Sequence, residues 1–429
     1  MTTTTITRWE DGSKEELSEL RAGLDAQYAA WKAKGLRLDL SRGKPSPDVL
    51  DLSNALLDGL DTYLTEDGTD VRNYGVISGI PECKRLFSEL LGIPADRMIV
   101  GGNSSLTHMY NTFVMLYLFG ANGSAPWGAQ EKIKILCPCP GYDRHFSVSE
   151  DFGAEMVVVP LLEDGPDMDI VEALAREDAS VKGIWLVPLY ANPTGSVVSG
   201  ETARRLAAMP AAADDFRIFW DNAYGVHHVF EEHTLPDILS LCEEAGNPER
   251  AFYFFSTSKI NFPGAGIGLV AAGPRTAAQM LSHIKMQTIG YDKIIQLKTV
   301  KFFGGRAEGI REHMRKIRAL LRPKFELVLD VLEREFSGTG ILEWTPPKGG
   351  YFVSVNTMDG CAKSVVALAK EAGVVLTGAG ATYPLGKDPR DRNIRIAPTY
   401  PGIEELAQTM ELFALCVKLA SIDKLLAGK

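Results

Sequence analysis

Short apolar runs alternate with longer amphipathic stretches along most of this chain. Seven of the runs have the length and the β-branched or aromatic content of strands. They are Met98–Val100, Ile133–Cys137, Glu155–Val159, Gly183–Leu189, Arg217–Trp220, Ala251–Phe255 and Ile267–Ala271. The stretches between them mostly have helical spacing, and such alternation is typical of a largely parallel sheet with helices on both faces. The pattern therefore predicts a three-layer α/β fold.

Two helical patterns stand out near the ends of the chain. The first helix is predicted from a capping box over residues 13–16 to the residue before Gly35, with an apolar stripe along one side. A long helical pattern runs from Gly309 to Phe336 and contains Pro323. We expect this proline to kink or split the helix, because proline lacks the N–H of the helical ladder.

The residues after this proline predict a second, smaller unit. Strands are expected at Tyr351–Val355 and Asn393–Ile396, with helical segments around them. Together with the first helix they indicate a smaller α+β domain built from both termini. We therefore predict a large domain over residues 51–322 and a small domain over residues 1–50 and 323–429.

Composition and charge restrict the function classes. The 429 residues are 45% hydrophobic, enough for a large core, and carry 45 basic against 55 acidic side chains, a net charge of −10. No basic tract suggests binding to nucleic acid or to an anionic membrane. The sequence shows no targeting peptide and no membrane-length apolar run, and its six scattered cysteines form no disulfide or zinc motif. We predict a cytoplasmic protein without a metal site.

One lysine lies where an apolar strand gives way to a glycine-rich run. Lys259 follows Phe252–Phe255 and the turn at residues 256–258, and Gly264–Gly268 comes next. Burial lowers the pKa of a lysine and makes its amine nucleophilic toward an aldehyde, so a Schiff base suits this position. The alternative is an ordinary surface lysine after a strand, and the assignment therefore depends on the residues around it.

Two further polar segments also follow predicted strands. Asp221 ends the strand of IFWDNAYG, with Tyr224 three residues on. A buried carboxylate there needs a cation, and a protonated pyridine nitrogen is one candidate. Asn192 follows the strand of GIWLVPLYANPTG, where its amide is placed to donate to a phenolate oxygen. The alternatives are a helix N-cap for Asp221 and a plain turn for Asn192.

Two loops complete the candidate set. In MIVGGNSSLTHMY a strand passes through residues 101–105 into a helix, where backbone N–H and hydroxyl groups suit a phosphate dianion. In CPCPGYDRH, Tyr142 is suited to stacking on an aromatic cofactor and His145 to a hydrogen bond with a buried carboxylate. All these segments lie at or after the carboxyl ends of strands, where open α/β sheets bind ligands. We therefore expect a single site.

Taken together, these residues resemble the pyridoxal-phosphate enzymes of fold type I, and among them the class I aminotransferases. The resemblance covers nearly the whole chain, from Gly43 in LSRGKPSPD to Arg395 in NIRIAPTYP. Asn192 and Asp221 are 29 positions apart, and Asp221 and Lys259 are 38 apart, close to the spacing usual in that family. With its helix before SRGKP, the chain resembles the divergent aspartate aminotransferase subgroup of bacteria.

The resemblance implies pyridoxal 5′-phosphate as cofactor and a role for each candidate. Lys259 would hold the cofactor, Asp221 would pair with its ring nitrogen, and His145 would support Asp221 from behind. The implied catalytic residues are Lys259, Asp221 and Tyr224. The implied cofactor-binding residues are Asn103, Ser104, Ser105, Tyr142, Asn192, Asp221, Tyr224, Ser256, Ser258, Lys259 and Tyr74. The implied substrate-binding residues are Gly43, Asn192, Arg395 and Arg144.

Two implications concern the phosphate of the cofactor. Tyr74 in RNYGVISGIP would reach the phosphate of the neighbouring subunit, which implies a homodimer with shared active sites. Many relatives also have an arginine about eight positions after the lysine, where this chain has Gly264–Gly268 and no arginine. Either another cation neutralises the phosphate, or hydroxyls and backbone amides hold it alone.

The implied reaction is a double-displacement transamination, with L-aspartate and 2-oxoglutarate as the favoured pair. Arg395 would bind the α-carboxylate in a two-pronged contact, and a second carboxylate needs a further cation. The candidates are Arg42, Lys44, Arg144, Lys285 and Lys293. We favour Arg144, because its loop also carries Tyr142 and His145.

Other hypotheses assign a different reaction to the same residues. An aminotransferase of aromatic, alanine or broad specificity, or a pyridoxal-phosphate β-lyase, would keep the cofactor groups. A decarboxylase is disfavoured, because Arg395 would retain the α-carboxylate. A dinucleotide-binding oxidoreductase would use Gly264–Gly268, but a strand-like run follows these glycines where that fingerprint requires a helix.

Overall fold

The computed structural model describes residues 8–41 and 43–429. These residues form 13 β-strands and 13 α-helices. The strands are β1 Leu38–Asp39, β2 Met98–Val100, β3 Lys134–Cys139, β4 Glu155–Leu162, β5 Gly165–Pro166, β6 Val181–Leu186, β7 Arg217–Asp221, β8 Ala251–Ser256, β9 Gly268–Ala272, β10 Leu342–Thr345, β11 Val353–Thr357, β12 Val374–Val375 and β13 Asn393–Ile396.

The helices occupy most of the segments between the strands. They are α1 Lys14–Ala33, α2 Pro47–Asp51, α3 Pro81–Leu91, α4 Ser105–Phe119, α5 Asp143–Asp151, α6 Met168–Glu177, α7 Gly200–Ala208, α8 Ile238–Glu244, α9 Pro274–Gln287, α10 Lys293–Phe302, α11 Ala307–Phe336, α12 Ala362–Glu371 and α13 Ile403–Ala427. No helix within the described residues is both long and apolar enough to cross a membrane.

Eight strands form one large sheet in the order β2-β9-β8-β7-β6-β3-β4-β5. The five central strands β8, β7, β6, β3 and β4 pair in parallel, whereas β9 and β5 run antiparallel to their neighbours. Successive residues of β7 alternate between two apolar clusters, with Ile218 and Trp220 in one and Phe219 in the other. Both faces of the sheet are therefore covered. The predicted α/β fold with a mostly parallel sheet is confirmed.

The predicted strands are present with small shifts at their ends. Met98–Val100 and Asn393–Ile396 lie as predicted, and β4 extends three residues further than expected, to Leu162. Strand β6 ends at Leu186, before the predicted end at Leu189. Pro188 explains the early end, because its nitrogen has no proton to donate to a neighbouring strand.

A smaller antiparallel sheet in the order β10-β11-β13 forms a second centre of packing. Its buried side chains, such as Val353 and Ile394, share an apolar cluster with residues of α1, α12 and α13. The capping box of α1 is present as predicted, since Ser13 Oγ accepts from Glu16 N and Glu16 accepts from Ser13 N. The exact domain boundaries after residues 50 and 322 stay a prediction.

Pro323 does not split the long helix, so the predicted split is wrong, whereas a kink at this position stays a prediction. Helix α11 is one helix of 30 residues with Pro323 in its interior. The helix is buried on both sides of the proline, with Leu321 in a cluster of the large sheet and Phe325 and Val328 in that of the small sheet. Packing of this apolar stripe outweighs the one hydrogen bond that the proline removes.

Candidate active site

The carboxyl ends of β7 and β8 bring the central candidates together. Asp221 is the last residue of β7 and is 1% exposed. His145, on α5, is also buried, and its Nε2 lies 3.0 Å from Asp221 Oδ2, to which it donates. The other carboxylate oxygen, Asp221 Oδ1, is buried and has no hydrogen-bond partner among the described residues. A buried carboxylate oxygen in this state is suited to a donor or cation from a ligand.

His145 is held by aromatic rings as well as by the carboxylate. Its imidazole stacks on Trp185, with centroids 4.4 Å apart and an interplanar angle of 10°. The ring of Tyr142 meets the imidazole edge-on at 5.0 Å. These contacts fix the imidazole plane, so His145 presents one nitrogen to Asp221, as the sequence predicted.

Lys259 lies in the turn after β8, close to the same group of residues. Its Nζ is 5.0 Å from the ring centroid of Tyr224 and 5.9 Å from that of Tyr351. Desolvation lowers the pKa of Lys259, and Asp221 opposes this by favouring the charged amine. Desolvation raises the pKa of Tyr224 well above its usual value, so this phenol is neutral.

The backbone of Lys259 is also fixed. His227 Nε2 donates to the Lys259 carbonyl at 3.1 Å. Burial lowers the pKa of His227 to about 3, so the imidazole is neutral at pH 7 and does not add a charge beside the lysine.

Arg395, on β13 of the small sheet, reaches the large-sheet residues. Its Nη1 donates to Asn192 Oδ1 at 3.1 Å and to Asp143 Oδ1 at 3.2 Å. The guanidinium lies over the ring of Phe352, 4.7 Å from its centroid, and its Nε is buried without a partner among the described residues. Gly43 packs so closely against the same ring that an added Cβ there would lie 2.4 Å from Phe352. Gly43, Asn192 and Arg395 are thus neighbours, and their role in binding a substrate stays a prediction.

The predicted phosphate residues meet at the start of α4. Ser104 caps this helix by accepting from Leu106 N at 3.1 Å. Ser256 Oγ donates to Ser258 Oγ at 3.1 Å, and Ser258 Oγ lies 3.5 Å from the Asn103 carbonyl. Ser105 is buried in the first turn of α4. Among the described residues, these hydroxyls form hydrogen bonds with hydroxyls and backbone groups and with no arginine or lysine.

The glycine-rich run after Lys259 serves close packing. Gly266 and Gly268 lie against the segment of Asn103 and Ser104, and a Cβ at Gly268 would lie 2.8 Å from the Ser104 backbone. The run passes into strand β9, which pairs with β8. No helix starts there, so the dinucleotide-binding reading fails on its structural requirement.

The remaining candidates lie further out or outside the described residues. Tyr74 is 78% exposed, Arg144 and Lys285 are exposed, and Lys44 lies 3.9 Å from the ring centroid of Tyr400. Arg144 borders a surface hollow with Leu106, Tyr110 and Asp151. Lys293, the first residue of α10, is 4% exposed. Arg42 lies outside the described residues.

Three residues of the site were missed by sequence reasoning. Asp143 contacts Arg395, Phe352 lies under its guanidinium, and Tyr351 brings its ring near Lys259 and has a buried hydroxyl without a partner among the described residues. The run of two glycines and two aromatics at residues 349–352, directly before a strand, was an available signal for the aromatic pair. Asp143 gave none, because a first-turn aspartate is ordinary helix chemistry.

Known proteins resemble this chain over almost its full length. The family model for aspartate amino-transferase matches residues 12–429. An inferred aminotransferase of Mycolicibacterium smegmatis is 49% identical over 408 residues, which is 94% of this chain and 95% of that protein. The crystal structure of an aspartate transaminase from Corynebacterium glutamicum is 44% identical with a TM-score of 0.95, covering 97% of this chain and 99% of that one.

The fold itself is shared more widely. An α-aminoadipate aminotransferase from Thermus thermophilus, solved in complex with N-(5′-phosphopyridoxyl)-L-leucine, has a TM-score of 0.74 at 21% identity, over 93% of this chain and 96% of that one. The chain belongs to the aspartate amino-transferase family and is a pyridoxal-phosphate-dependent aminotransferase of the aspartate-aminotransferase-like type.

Proposed function

We propose that this enzyme transfers the amino group of L-aspartate to 2-oxoglutarate, giving oxaloacetate and L-glutamate. The observation that carries the proposal is the buried Asp221 Oδ1, without a partner among the described residues, in the same site as the desolvated Lys259 and the guanidinium of Arg395. The aspartate transaminase of Corynebacterium glutamicum supports the choice of substrates by its 44% identity. An aromatic or broad specificity is the alternative, which the second experiment below tests.

The donor set of the site fits pyridoxal 5′-phosphate. This cofactor, when bound, supplies an aldehyde and a protonated aromatic ring that withdraws electrons from the substrate Cα. Asp221 Oδ1 would accept from the ring nitrogen, while His145 keeps the other oxygen occupied. Arg395 already uses the Asn192 oxygen, so the Asn192 amide N–H groups remain for the ring oxygen.

Proton transfer falls to Lys259. Its lowered pKa favours the neutral amine, which is the form that takes a proton from the substrate Cα and then returns it. The rings of Tyr224 and Tyr351 limit the directions that the amine can take. Tyr224, neutral because burial raises its pKa, would donate its hydroxyl proton to the ring oxygen.

Arg395 would bind the α-carboxylate of either substrate. A guanidinium offers two parallel N–H groups to a carboxylate, and Nε of Arg395 is buried without a partner. Phe352 supports the guanidinium from one side and excludes water there. Such an arrangement keeps the carboxylate on the substrate during the reaction.

A second cation must meet the distal carboxylate of aspartate, and two candidates differ in setting. Arg144 is exposed on α5, one residue before the buried His145. Lys293 is buried, and the Gly290 position next to it packs on Gly75, beside Tyr74. We retain Arg144 as the proposed cation for the distal carboxylate and take Lys293 as the alternative. In the proposed homodimer, the Tyr74 loop reaches the active site of the neighbouring subunit.

The first experiment tests the cofactor attachment. Purified enzyme is loaded with pyridoxal phosphate, reduced with borohydride and mapped by peptide mass spectrometry. We expect the pyridoxyl label on Lys259, and the variant Lys259→Ala should lose transamination by several orders of magnitude, because nucleophile and proton carrier disappear together. A label on any other lysine contradicts the assignment.

The second experiment tests the substrate. Replacing the residue that binds the distal carboxylate should raise KM for aspartate by about tenfold and leave KM for alanine nearly unchanged, because only aspartate loses a charge-assisted contact. Arg144→Ala and Lys293→Met are compared, with Arg204→Ala, an exposed arginine of α7, as control. Equal losses for both substrates in Arg144→Ala remove this residue from the specificity site. A wild-type preference for aromatic or branched amino acids contradicts the substrate pair, while the family assignment stands.

A further inference from the structure

A cavity of 410 Å³ lies beside the candidate active site without sharing its residues. Its lining includes Asn222, Gly225 and Val226, which are interleaved with Asp221 and Tyr224 in the same segment after β7. The C-terminal end of α3, the segment of residues 228–235 and the first half of α11 also line it. The volume lies within the range of cavities that hold small metabolites.

One wall of this cavity is cationic. Arg311, Arg315 and Arg318 lie on one face of α11, at spacings of four and three residues. Arg311 and Arg315 share Glu308 as a partner, at 3.7 Å and 2.7 Å. Arg318 is partly buried, donates to the backbone carbonyls of residues 229 and 230, and has no carboxylate partner within residues 8–41 and 43–429.

The charge of the lining is unbalanced. The lining carries three arginines and one acidic side chain, Glu232, and Glu308 outside the lining pairs with Arg311 and Arg315, so one positive charge remains in excess when the two lining histidines are neutral. Burial lowers the pKa of one of them, His228, which keeps it neutral at pH 7. A partly buried arginine without a counter-ion favours the binding of an anion.

The floor of the cavity holds a second unsatisfied group. Asn222 is 3% exposed and donates from Nδ2 to the Tyr253 hydroxyl at 2.6 Å. Its Oδ1 is buried and has no partner in the described part of the chain. This oxygen is free to accept a hydrogen bond from a ligand, and the cavity lining also includes the apolar side chains of Leu189 and Met314.

We propose that this cavity binds a small carboxylic acid that carries an α-hydroxyl or α-amino group and an apolar side chain. The carboxylate meets Arg318, the hydroxyl or amino proton is donated to Asn222 Oδ1, and the apolar side chain lies against Leu189 and Met314. Each feature of the ligand matches one observation. The carboxylate matches a cation without a carboxylate partner, the α-hydroxyl or α-amino group matches an unpartnered acceptor, and the apolar side chain matches an apolar wall. The ligand is noncovalent and is distinct from the substrate bound at Arg395.

The test measures binding to the cofactor-loaded enzyme by isothermal titration calorimetry. The probes are L-3-phenyllactate and α-methyl-L-phenylalanine, which cannot complete a transamination because one lacks the amino group and the other the α-hydrogen. The reference compound 3-phenylpropionate lacks the α-donor. The variant Arg395→Ala weakens binding at the active site, and binding that is then lost on changing a cavity residue is assigned to the cavity.

In the Arg395→Ala background, we expect at least one probe to bind in the millimolar range or tighter, and 3-phenylpropionate to bind about tenfold more weakly. Adding Arg318→Gln should weaken the probe about tenfold or more, since a charge-assisted bond is lost. Thr234→Trp, which fills the mouth from an exposed lining position, should do the same without touching a hydrogen bond of the fold.

The matched control is Arg322→Gln, one turn further along α11, where the arginine pairs with Glu326 outside the cavity. This change should leave the dissociation constant within about twofold, because it alters a surface ion pair and a contact with the Phe230 ring, neither of which lines the cavity. The proposal is overturned if neither probe binds the Arg395→Ala enzyme. It is equally overturned if Thr234→Trp leaves probe binding unchanged.

Discussion

Lys259 and Lys324 show what distinguishes a reactive amine from a structural one. Burial lowers the pKa of both Lys259 and Lys324. Lys324 Nζ donates to the Thr399 carbonyl at 3.0 Å and lies 3.5 Å from the Ser46 hydroxyl. Lys259 Nζ instead faces the ring of Tyr224. An amine without a fixed acceptor stays available for chemistry, whereas one that is already hydrogen-bonded stabilises the fold.

Asp221 is the buried carboxylate at the end of β7, and its charge can be removed by a single substitution. Asp221→Asn should fold, bind cofactor and lose transamination rate by about a hundredfold or more, because a neutral amide cannot hold the proton on the cofactor ring nitrogen. The measurement is kcat at saturating pyridoxal phosphate. Near-wild-type turnover there would refute the role of this carboxylate.

A buried aspartate at the opposite end of the same strand supplies the control. Asp215, two residues before β7, is 5% exposed and accepts from Lys182 Nζ at 2.8 Å. Asp215→Asn should lower the free energy of unfolding by about 3 kcal/mol, since it leaves the buried Lys182 without its negatively charged partner. Its kcat per folded molecule should stay at the wild-type value, which separates loss of stability from loss of chemistry.

At the scale of elements, strands and helix starts were predictable because their signals are local. The apolar runs of β2, β7 and β8 and the capping box of α1 are read directly from neighbouring residues. Strand β10 was missed, because Leu342–Thr345 alternates polar and apolar residues over only four positions. The position of Asp143 beside Arg395 depends on residues 252 positions apart, which no local pattern encodes.

The continuity of α11 is the clearest case of packing overriding local sequence. Proline in a helix interior is costly, yet the stripe of Leu321, Phe325 and Val328 is buried on both sides of Pro323. Pro323→Ala should therefore raise the unfolding temperature of the holoenzyme, with a gain of about 2 kcal/mol, since it restores a helical N–H.

The exposed Lys316 on the same helix provides the control for this change. Lys316→Ala alters helix propensity by about 0.3 kcal/mol and should leave the unfolding temperature almost unchanged. Both variants are compared with wild type at one fixed cofactor concentration, because bound ligand shifts apparent stability. An unchanged or lower unfolding temperature for Pro323→Ala would mean that α11 already accommodates the proline without loss.

At the scale of the whole molecule, the site depends on both centres of packing. Asp221 and Lys259 belong to the large sheet, whereas Arg395 belongs to β13 of the small one. The hydrogen bond from Arg395 to Asn192 crosses between these sheets. Binding of a substrate carboxylate at Arg395 would therefore act on the relative position of both parts.

Several large apolar side chains of this chain are exposed. Leu57, Tyr74, Met286 and Ile289 are 67%, 78%, 83% and 62% exposed. Tyr74 and Ile289 belong to neighbouring segments, since Gly75 N donates to the Ile289 carbonyl at 3.1 Å. Exposed apolar side chains in adjacent segments favour association, and a second copy of this chain is the partner that the proposed shared site requires.

Mixing two inactive variants tests whether subunits share their active sites. Lys259→Ala and Tyr74→Ala should each have low activity alone. After subunit exchange, about half of the dimers are mixed, and each mixed dimer has one site with an intact Lys259 from one subunit and an intact Tyr74 from the other. Activity should therefore recover to about a quarter of the wild-type value, measured as aspartate turnover. Mixing Lys259→Ala with Asp221→Asn is the control, because both residues act within one subunit and no site is restored. Recovery in the control, or none with Tyr74→Ala, would exclude the shared arrangement.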